Sequence, residues 1–255
     1  MRINEDQEGV LDSLTIERIS ANPDSNIRLI NSFENYRVNE KKCALRNKAS
    51  QDDEAGITAY YLIKDACGKL MFYFSLKCGM LYDGSLYTKV HEEQARGFKD
   101  YYTDRGLGVE MSSLQLDMEI DGNGLILRGE HTYPAIELAH FFRNDNYDFK
   151  GWRERYQMPQ IGTIIFWKFV IPCVLKARES VGCQYLYLFA ADDSDDRKLV
   201  NYYADKLKFR TNSEVGTVKP VYDFTCEFMC QEIEPLKDKM DKFFNEEFNL
   251  TTDDV

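Results

Sequence analysis

The 255-residue sequence predicts an α/β fold in which one mixed sheet of six or seven strands is flanked by helices. Three observations predict it. Tyr185–Ala190 (YLYLFA) is a nearly continuous apolar run bounded by Gly182 and Asp192, the pattern of a strand buried on both faces at the centre of a sheet. Ile57–Ile63 and Leu70–Leu76 are runs rich in aromatic and branched residues. They flank Asp65-Ala-Cys-Gly68, a turn with its glycine in place, and so form a hairpin. Between such runs lie segments with apolar residues at helical spacing, the alternation expected of helices packed on a sheet.

From the N-terminus, Leu14–Ser20 reads as a short first strand. Ser25 then caps a helix with Ile27, Ile30 and Phe33 at helical spacing. A second helix starts near Asn39, carries Cys43, Leu45 and Ala49, and stops at Gly56. After the hairpin, residues from about 82 to 131 break the rhythm. Val90–Phe98 reads as a polar amphipathic helix, and Gly106–Gly129 carries weak strand signals split by the turn sequence Asp121-Gly-Asn-Gly124. This stretch has too few apolar residues for a core of its own, so it reads as an insertion on a single domain spanning 1–255.

Tyr133–Phe142 is a strand with Pro134 at its start, where a missing donor is tolerated. A polar loop, Arg143–Trp152, leads to a long apolar helix from about Thr163 to Ser180, which Pro172 kinks or breaks. Beyond Tyr185–Ala190, Asp193 or Ser194 caps a helix bearing Leu199, Tyr202, Tyr203 and Leu207. A last strand around Val221–Cys230 presents Phe224, Cys226, Phe228 and Cys230 on one apolar face. Pro235 opens a C-terminal helix at about 234–248 with Leu236, Met240, Phe243 and Phe244, and Thr251–Val255 is a frayed tail.

Composition narrows the function classes. With 44% hydrophobic and 29% charged residues the chain is globular rather than disordered. A net charge of −11 repels phosphate backbones, which makes nucleic acid an unlikely partner. The local basic run Arg37, Lys41, Lys42, Arg46 and Lys48 reads as the solvated face of a helix. Seven scattered cysteines form no zinc spacing and suggest reduced thiols in the cytoplasm. The acidic run Asp192–Asp196 reads as helix capping, so no metal is expected. The N-terminus carries no signal-peptide core and no apolar stretch approaches the ~20 residues of a membrane helix, so a soluble protein without a membrane partner is expected.

Strand, helices, hairpin, strand, helix, strand, helix, strand is the element order of the GNAT acyltransferases, which residues from about 133 to 232 resemble most. Gln157-Met-Pro-Gln-Ile-Gly162, followed by Thr163, resembles the family's Gln/Arg-x-x-Gly-x-Gly/Ala segment. Gln157 and Gly162 hold its first and last positions, and Gln160 replaces the middle glycine. Tyr185–Ala190 through Asn201–Phe209 is similar to the family's strand and the following helix that ends in Tyr-x-x-x-Gly-Phe. Tyr203 lies six residues before Phe209 rather than five, and Lys208 replaces the glycine, which leaves Tyr202 and Tyr203 both in play. Leu45–Tyr60 resembles the second helix and strand of GNAT toxins that acetylate charged tRNA.

The resemblance implies a GNAT-like, mostly antiparallel sheet and transfer of an acetyl group from acetyl-CoA, as cosubstrate, to a primary amine of a small molecule, amino acid or protein. Backbone N–H groups of Gln157, Gln160, Ile161, Gly162 and Thr163 would grip the pyrophosphate. The fourth strand would splay from the fifth, and backbone N–H groups near His140, Phe141 and Phe142 would polarise the thioester carbonyl. Glu137 and His140 are the titratable groups on that strand, on opposite faces three positions apart. Glu137, a carboxylate between Ile136 and Leu138, is the expected base, against the alternative of a solvent-facing glutamate. His140 reads as a satisfied structural histidine. Tyr203 would protonate the departing thiolate, against the alternative of a core tyrosine. A homo-oligomer is compatible with the sequence. Two other readings stand beside this one: a toxin-like acetyltransferase of aminoacyl-tRNA, and a degenerate GNAT-fold binding protein without catalysis.

Overall fold

The computed structural model describes residues 3–35, 48–83, 117–121, 124–128, 132–158, 160–192, 194–211, 215–217 and 226–248. Its principal sheet has seven strands, six of them in the order β1-β2-β3-β6-β7-β9, with β8 paired to β3. These strands are β1 (Thr15–Arg18), β2 (Ala59–Lys64), β3 (Leu70–Asp83), β6 (Thr132–Arg143), β7 (Tyr185–Ala190), β8 (Val215–Gly216) and β9 (Glu227–Glu232). The chain forms two compact units: Met1–Cys78, Glu137–Ser180 and Glu234–Val255 make one, Gly79–Ile136 and Val181–Ile233 the other.

The first unit opens with a helix the sequence reading missed, α1 (Glu5–Ser13). Asn4 accepts from the Gln7 amide while the Gln7 side chain accepts from the Asn4 amide, a reciprocal capping box. α2 spans Pro23–Ser32 with Asn22 as its N-cap, three residues ahead of the expected Ser25 cap, because proline at the first helical position has its φ preset and lacks only an orphan donor. Ile30 and Phe33 are buried as their spacing predicts, whereas Ile27 is exposed. α3 (Ala49–Glu54) is the end of the second expected helix, and Gly56 at φ 69° stops the chain there. The start of that helix and most of the basic run, residues 36–47, lie outside the described residues.

The hairpin is as expected: β2 pairs antiparallel with β3, and Gly68 takes φ 77° in the turn. One sheet face packs Tyr60, Leu62 and Tyr73 against Ile19, Ile30 and Phe33. On the other, Tyr61 stacks on Phe74 with centroids 4.9 Å apart, and Phe72 on Phe141 at 5.9 Å. Asp53, fully buried, closes the rim by accepting from Arg18 at 2.9 Å and from the Tyr60 amide at 2.8 Å. Burial would push its carboxyl up, but hydrogen bonds from Ser20, the Tyr60 amide and Arg18 hold it below the usual range.

The expected loop Arg143–Trp152 is a loop only as far as Asp148. Its side chain accepts from the Gly151 amide at 2.9 Å and starts α4 (Phe149–Tyr156), with Trp152 buried. The long apolar helix α5 runs Ile161–Val181. It carries a π turn at Phe166–Val170, just before Pro172. Proline removes the donor to the Lys168 carbonyl and its ring crowds that carbonyl, so the helix widens there instead of breaking. The C-terminal helix α7 (Leu236–Lys242) continues into a π turn at Phe243–Glu247, where Phe243 stacks on Trp167 at 6.1 Å.

In the second unit, β4 (Asp117–Asp121) and β5 (Gly124–Arg128) form an antiparallel hairpin about the expected turn, as a separate two-stranded sheet. The expected helix at Val90–Phe98 lies outside the described residues. β7 pairs antiparallel with β9 over its full length. It buries Leu186, Tyr187, Leu188 and Ala190, yet it lies second from one end of the strand order rather than at the centre. An apolar run reports coverage of both faces, which any strand with a neighbour on each side can receive. The last strand starts at Glu227, and residues 221–225 of the expected span lie outside the described residues. α6 spans Lys198–Asp205 with Arg197 as its N-cap, so it starts beyond the expected Asp193 or Ser194 cap. Its first turn carries no acidic residue, and the preceding loop serves it only from a distance. Ser194 Oγ accepts from the Lys198 amide at 3.0 Å and Asp192 Oδ2 from the Val200 amide at 2.9 Å.

Candidate active site

Within the first unit, α4 ends at Gln157, which takes the left-handed conformation at φ 51° and ψ 39°. Met158 is fully buried and anchors the crossing. Gln160 is left-handed again, at φ 55° and ψ 46°, and is the N-cap of α5. The helix therefore begins at Ile161 rather than at the expected Thr163. The Gln160 carbonyl accepts from Thr163 at 2.9 Å and Ile164 at 3.2 Å, so Gly162 stands inside the first turn. The amides of Ile161 and Gly162 precede the first intrahelical bonds and are left as donors by the helix geometry. A left-handed residue followed by right-handed ones turns successive amides toward one concavity, where the positive end of a 21-residue helix, Ile161–Val181, adds favourable potential for an anion.

Glu137 is buried on β6 at 6% exposure. Phe141, two pairs of residues along the same strand, packs edge-on against Phe166 of α5 with centroids 6.2 Å apart, which ties this strand to the helix that leaves the turn. His140 faces the other way. Its Nδ1 lies 2.7 Å from Ser75 Oγ, and its ring stacks on Tyr60 at 5.6 Å. Phe142 lies 6.2 Å beyond it. Burial pushes the imidazole down to about 4, so the ring is neutral at physiological pH. A neutral imidazole bonded to a serine and stacked among rings is the arrangement of a structural histidine.

Tyr203 belongs to the second unit. It is half-buried beside Tyr202 at 5.7 Å and Phe209 at 6.4 Å. Lys208 takes φ 65°, and the Phe209 amide returns to the Tyr203 carbonyl at 3.1 Å. Both tyrosine rings thus remain next to the end of α6, where the one-residue slip in the sequence left them. Glu137, His140–Phe142 and Gln157–Thr163 all fall in the first unit, apart from Pro159, which lies outside the described residues.

Two side chains the sequence reading missed bear on these elements. Ser75 holds His140, and alternation in β3 places it on the face of Tyr73. Gln7 donates from Nε2 to the Gln157 carbonyl at 3.3 Å, and its signal was legible as Asn4-x-x-Gln7, a capping-box spacing. Two grooves of this unit, about 820 and 720 Å³, are lined by neither Glu137 nor residues 160–163. Among the described residues no cluster of His, Cys, Asp or Glu has the makings of a metal site, and none of the six described cysteines is in a disulfide.

No protein-family model matches the chain, and no curated protein matches it in sequence. Solved structures do match. A mutant of the AtaT toxin aligns with a TM-score of 0.52 over 89% of this chain and 94% of its own, at 13% identity. A mutant of KacT aligns with a TM-score of 0.50 over 89% and 99%, at 16% identity. AtaT complexed with acetyl-methionyl-tRNAfMet aligns with a TM-score of 0.48 over 89% and 98%, at 11% identity. The expectation that nucleic acid is an unlikely partner rests on net charge alone and is not borne out. Net charge averages over the whole surface, whereas a nucleic acid needs only a local positive field. At these identities the likeness concerns the fold, and it is a GNAT-like fold: a mixed, mostly antiparallel seven-stranded sheet flanked by helices.

Proposed function

We propose that this protein is an acyl-CoA-dependent N-acyltransferase that moves an acetyl group from acetyl-CoA to a primary amine. The observation that carries the reading is the turn Gln157–Thr163. It matches the first and last positions of the GNAT coenzyme segment, and its replaced glycine, Gln160, keeps a backbone conformation that glycine favours. In this reading the Ile161 and Gly162 amides hold the pyrophosphate at the head of α5. Amides near His140–Phe142 polarise the thioester carbonyl, Glu137 accepts the proton of the attacking amine, and Tyr203 or its neighbour Tyr202 returns one to the departing thiolate. The scattered thiols fit a cytoplasmic setting.

A second reading, acetylation of an aminoacyl-tRNA, has behind it the fold likeness to AtaT and KacT and the resemblance of Leu45–Tyr60 to such toxins. Both readings meet one experiment. Titration calorimetry with acetyl-CoA is followed by thiol release in the presence of a panel of amines and of charged tRNAs. Binding with release on simple amines supports the first reading, and release on charged tRNA alone supports the second. No heat and no thermal shift at millimolar acetyl-CoA rejects both, since a ligand at 100 times its Kd stabilises by about 2.7 kcal/mol. Tight binding without turnover on any acceptor points to a GNAT-fold binding protein. Gly162→Asp is the specific control: a side chain and a like charge in the anion's path abolish binding while the fold, read by circular dichroism, is kept.

A further inference from the structure

We propose that α1 is a brace for the Gln157–Thr163 turn and that Gln7 is its positioning residue, an inference that rests on the coenzyme reading of that turn. The orientation of the Gln7 amide is set by its two ends. Oε1 accepts from the Asn4 amide at 3.2 Å as half of the capping box, which directs Nε2 to the Gln157 carbonyl at 3.3 Å. Gln7 is 4% exposed, so little water competes for this contact. At its other end α1 reaches past the turn: Asp12 pairs with Lys168 Nζ at 2.6 Å, in the π turn of α5. Leu11, which lies between Gln7 and Asp12 in sequence, is fully buried.

One nine-residue helix therefore holds both the first residue of the turn and the helix after it. The turn needs such support. Gln157 and Gln160 both hold a left-handed conformation that costs a residue with a β-carbon about 1 kcal/mol or more, which the local cap hydrogen bonds offset only in part. Amides aimed at a pyrophosphate bind it well only when the backbone that carries them is already in place. The Gln7 contact supplies that preorganisation from outside the strand–turn–helix segment.

The test uses the whole chain with Gln7→Glu. Glutamate is a normal partner in a capping box, so Oε1 still accepts from Asn4 and α1 stays capped. The carboxylate has no donor for the Gln157 carbonyl and repels it. Asp12→Asn loosens the second tie, a partly exposed pair, and is expected to have the smaller effect on exchange and affinity. Two measurements are read: hydrogen exchange of the Ile161–Ile165 amides and the Kd of acetyl-CoA. The expected result for Gln7→Glu is faster exchange at those amides and acetyl-CoA affinity weaker by about 2- to 10-fold, the effect of one hydrogen bond. The rate at saturating acetyl-CoA is expected to stay within about twofold. Gln7→Leu, which removes both halves of the contact, is expected to match Gln7→Glu in affinity and to lose more thermal stability. Unchanged exchange at Ile161–Ile165 in Gln7→Glu overturns the brace, as does unchanged affinity in a wild type that binds acetyl-CoA. A wild type that binds no acetyl-CoA sinks the coenzyme reading alone, and the exchange measurement still decides whether α1 braces the turn.

Discussion

The ring of Tyr187 occupies the space that a β-carbon on Gly79 would require: such an atom would lie 2.2 Å from the tyrosine oxygen and 2.6 Å from Cε1. Tyr187 is buried at 4% and packs with Leu81, Ala135, Val215 and Cys230, so it has little room to retreat. Gly79→Ala is therefore expected to destabilise the protein by about 1–3 kcal/mol, the usual cost of overpacking. Urea unfolding measures it. Because the ring carbon is as close as the oxygen allows, adding Tyr187→Phe is not expected to restore stability.

Gln160 and Lys208 stand where the resembled family has glycine, and both are left-handed, at φ 55° and 65°. Each bears the steric cost of a β-carbon in that region, and the contact that Lys208 Nζ makes to the Asp205 carbonyl at 2.7 Å is exposed and of small weight. Gln160→Gly and Lys208→Gly are expected to leave stability unchanged or raise it by up to about 1 kcal/mol, the relief of strain being partly offset by the freer unfolded chain. Gln160→Val is expected to lower it by more than that, since a branched side chain is least tolerated there. Thermal unfolding of the three variants checks the order.

His140 gives a signature in pH. Burial lowers its pKa from 6.5 to about 4, so between those values the unfolded chain takes up a proton that the folded chain does not. Stability is full above pH 6.5 and falls as the pH drops toward 4. Asp53 and Asp192 are held below the usual carboxylate range by their hydrogen bonds, against the burial that would raise them, and they act further to the acid side. His140→Gln keeps a partner for Ser75 and cannot titrate. Denaturant midpoints between pH 4 and 7 are expected to slope in the wild type and to flatten in the variant.

For the proposed chemistry, Tyr203→Phe keeps the ring contacts with Tyr202 and Phe209 and removes only the hydroxyl. If that hydroxyl is the acid, kcat falls by about 10²–10⁴ with acetyl-CoA affinity unchanged. Tyr202→Phe is the paired measurement, and a fall there in place of Tyr203 assigns the acid to the other ring. Full rate in both variants removes tyrosine from the mechanism.

What could be read from the sequence was what local chemistry dictates. The hairpin followed from a glycine between two alternating runs, and the turn ahead of the long helix from the resemblance carried by Gln157 and Gly162. Pro172, by contrast, predicted a kink or a break where the helix instead widens into a π turn. The helices α1 and α4 were also legible, in the Asn4–Gln7 and Asp148 caps, but each is too short and polar for an apolar stripe to announce it. Other features belonged to the tertiary structure alone. Strand order placed β7 beside β9, because burial of both faces does not say how many neighbours lie on either side. The left-handed state of Gln160 and Lys208 was invisible, since their residue types do not ask for it and only the surrounding packing holds it. The neutrality of His140 comes from burial, in a place where the pairing of β2, β3 and β6 brings Ser75 and Tyr60, 65 and 80 residues away, to its face. Local sequence sets which conformations are cheap, and long-range burial decides which costly ones are kept.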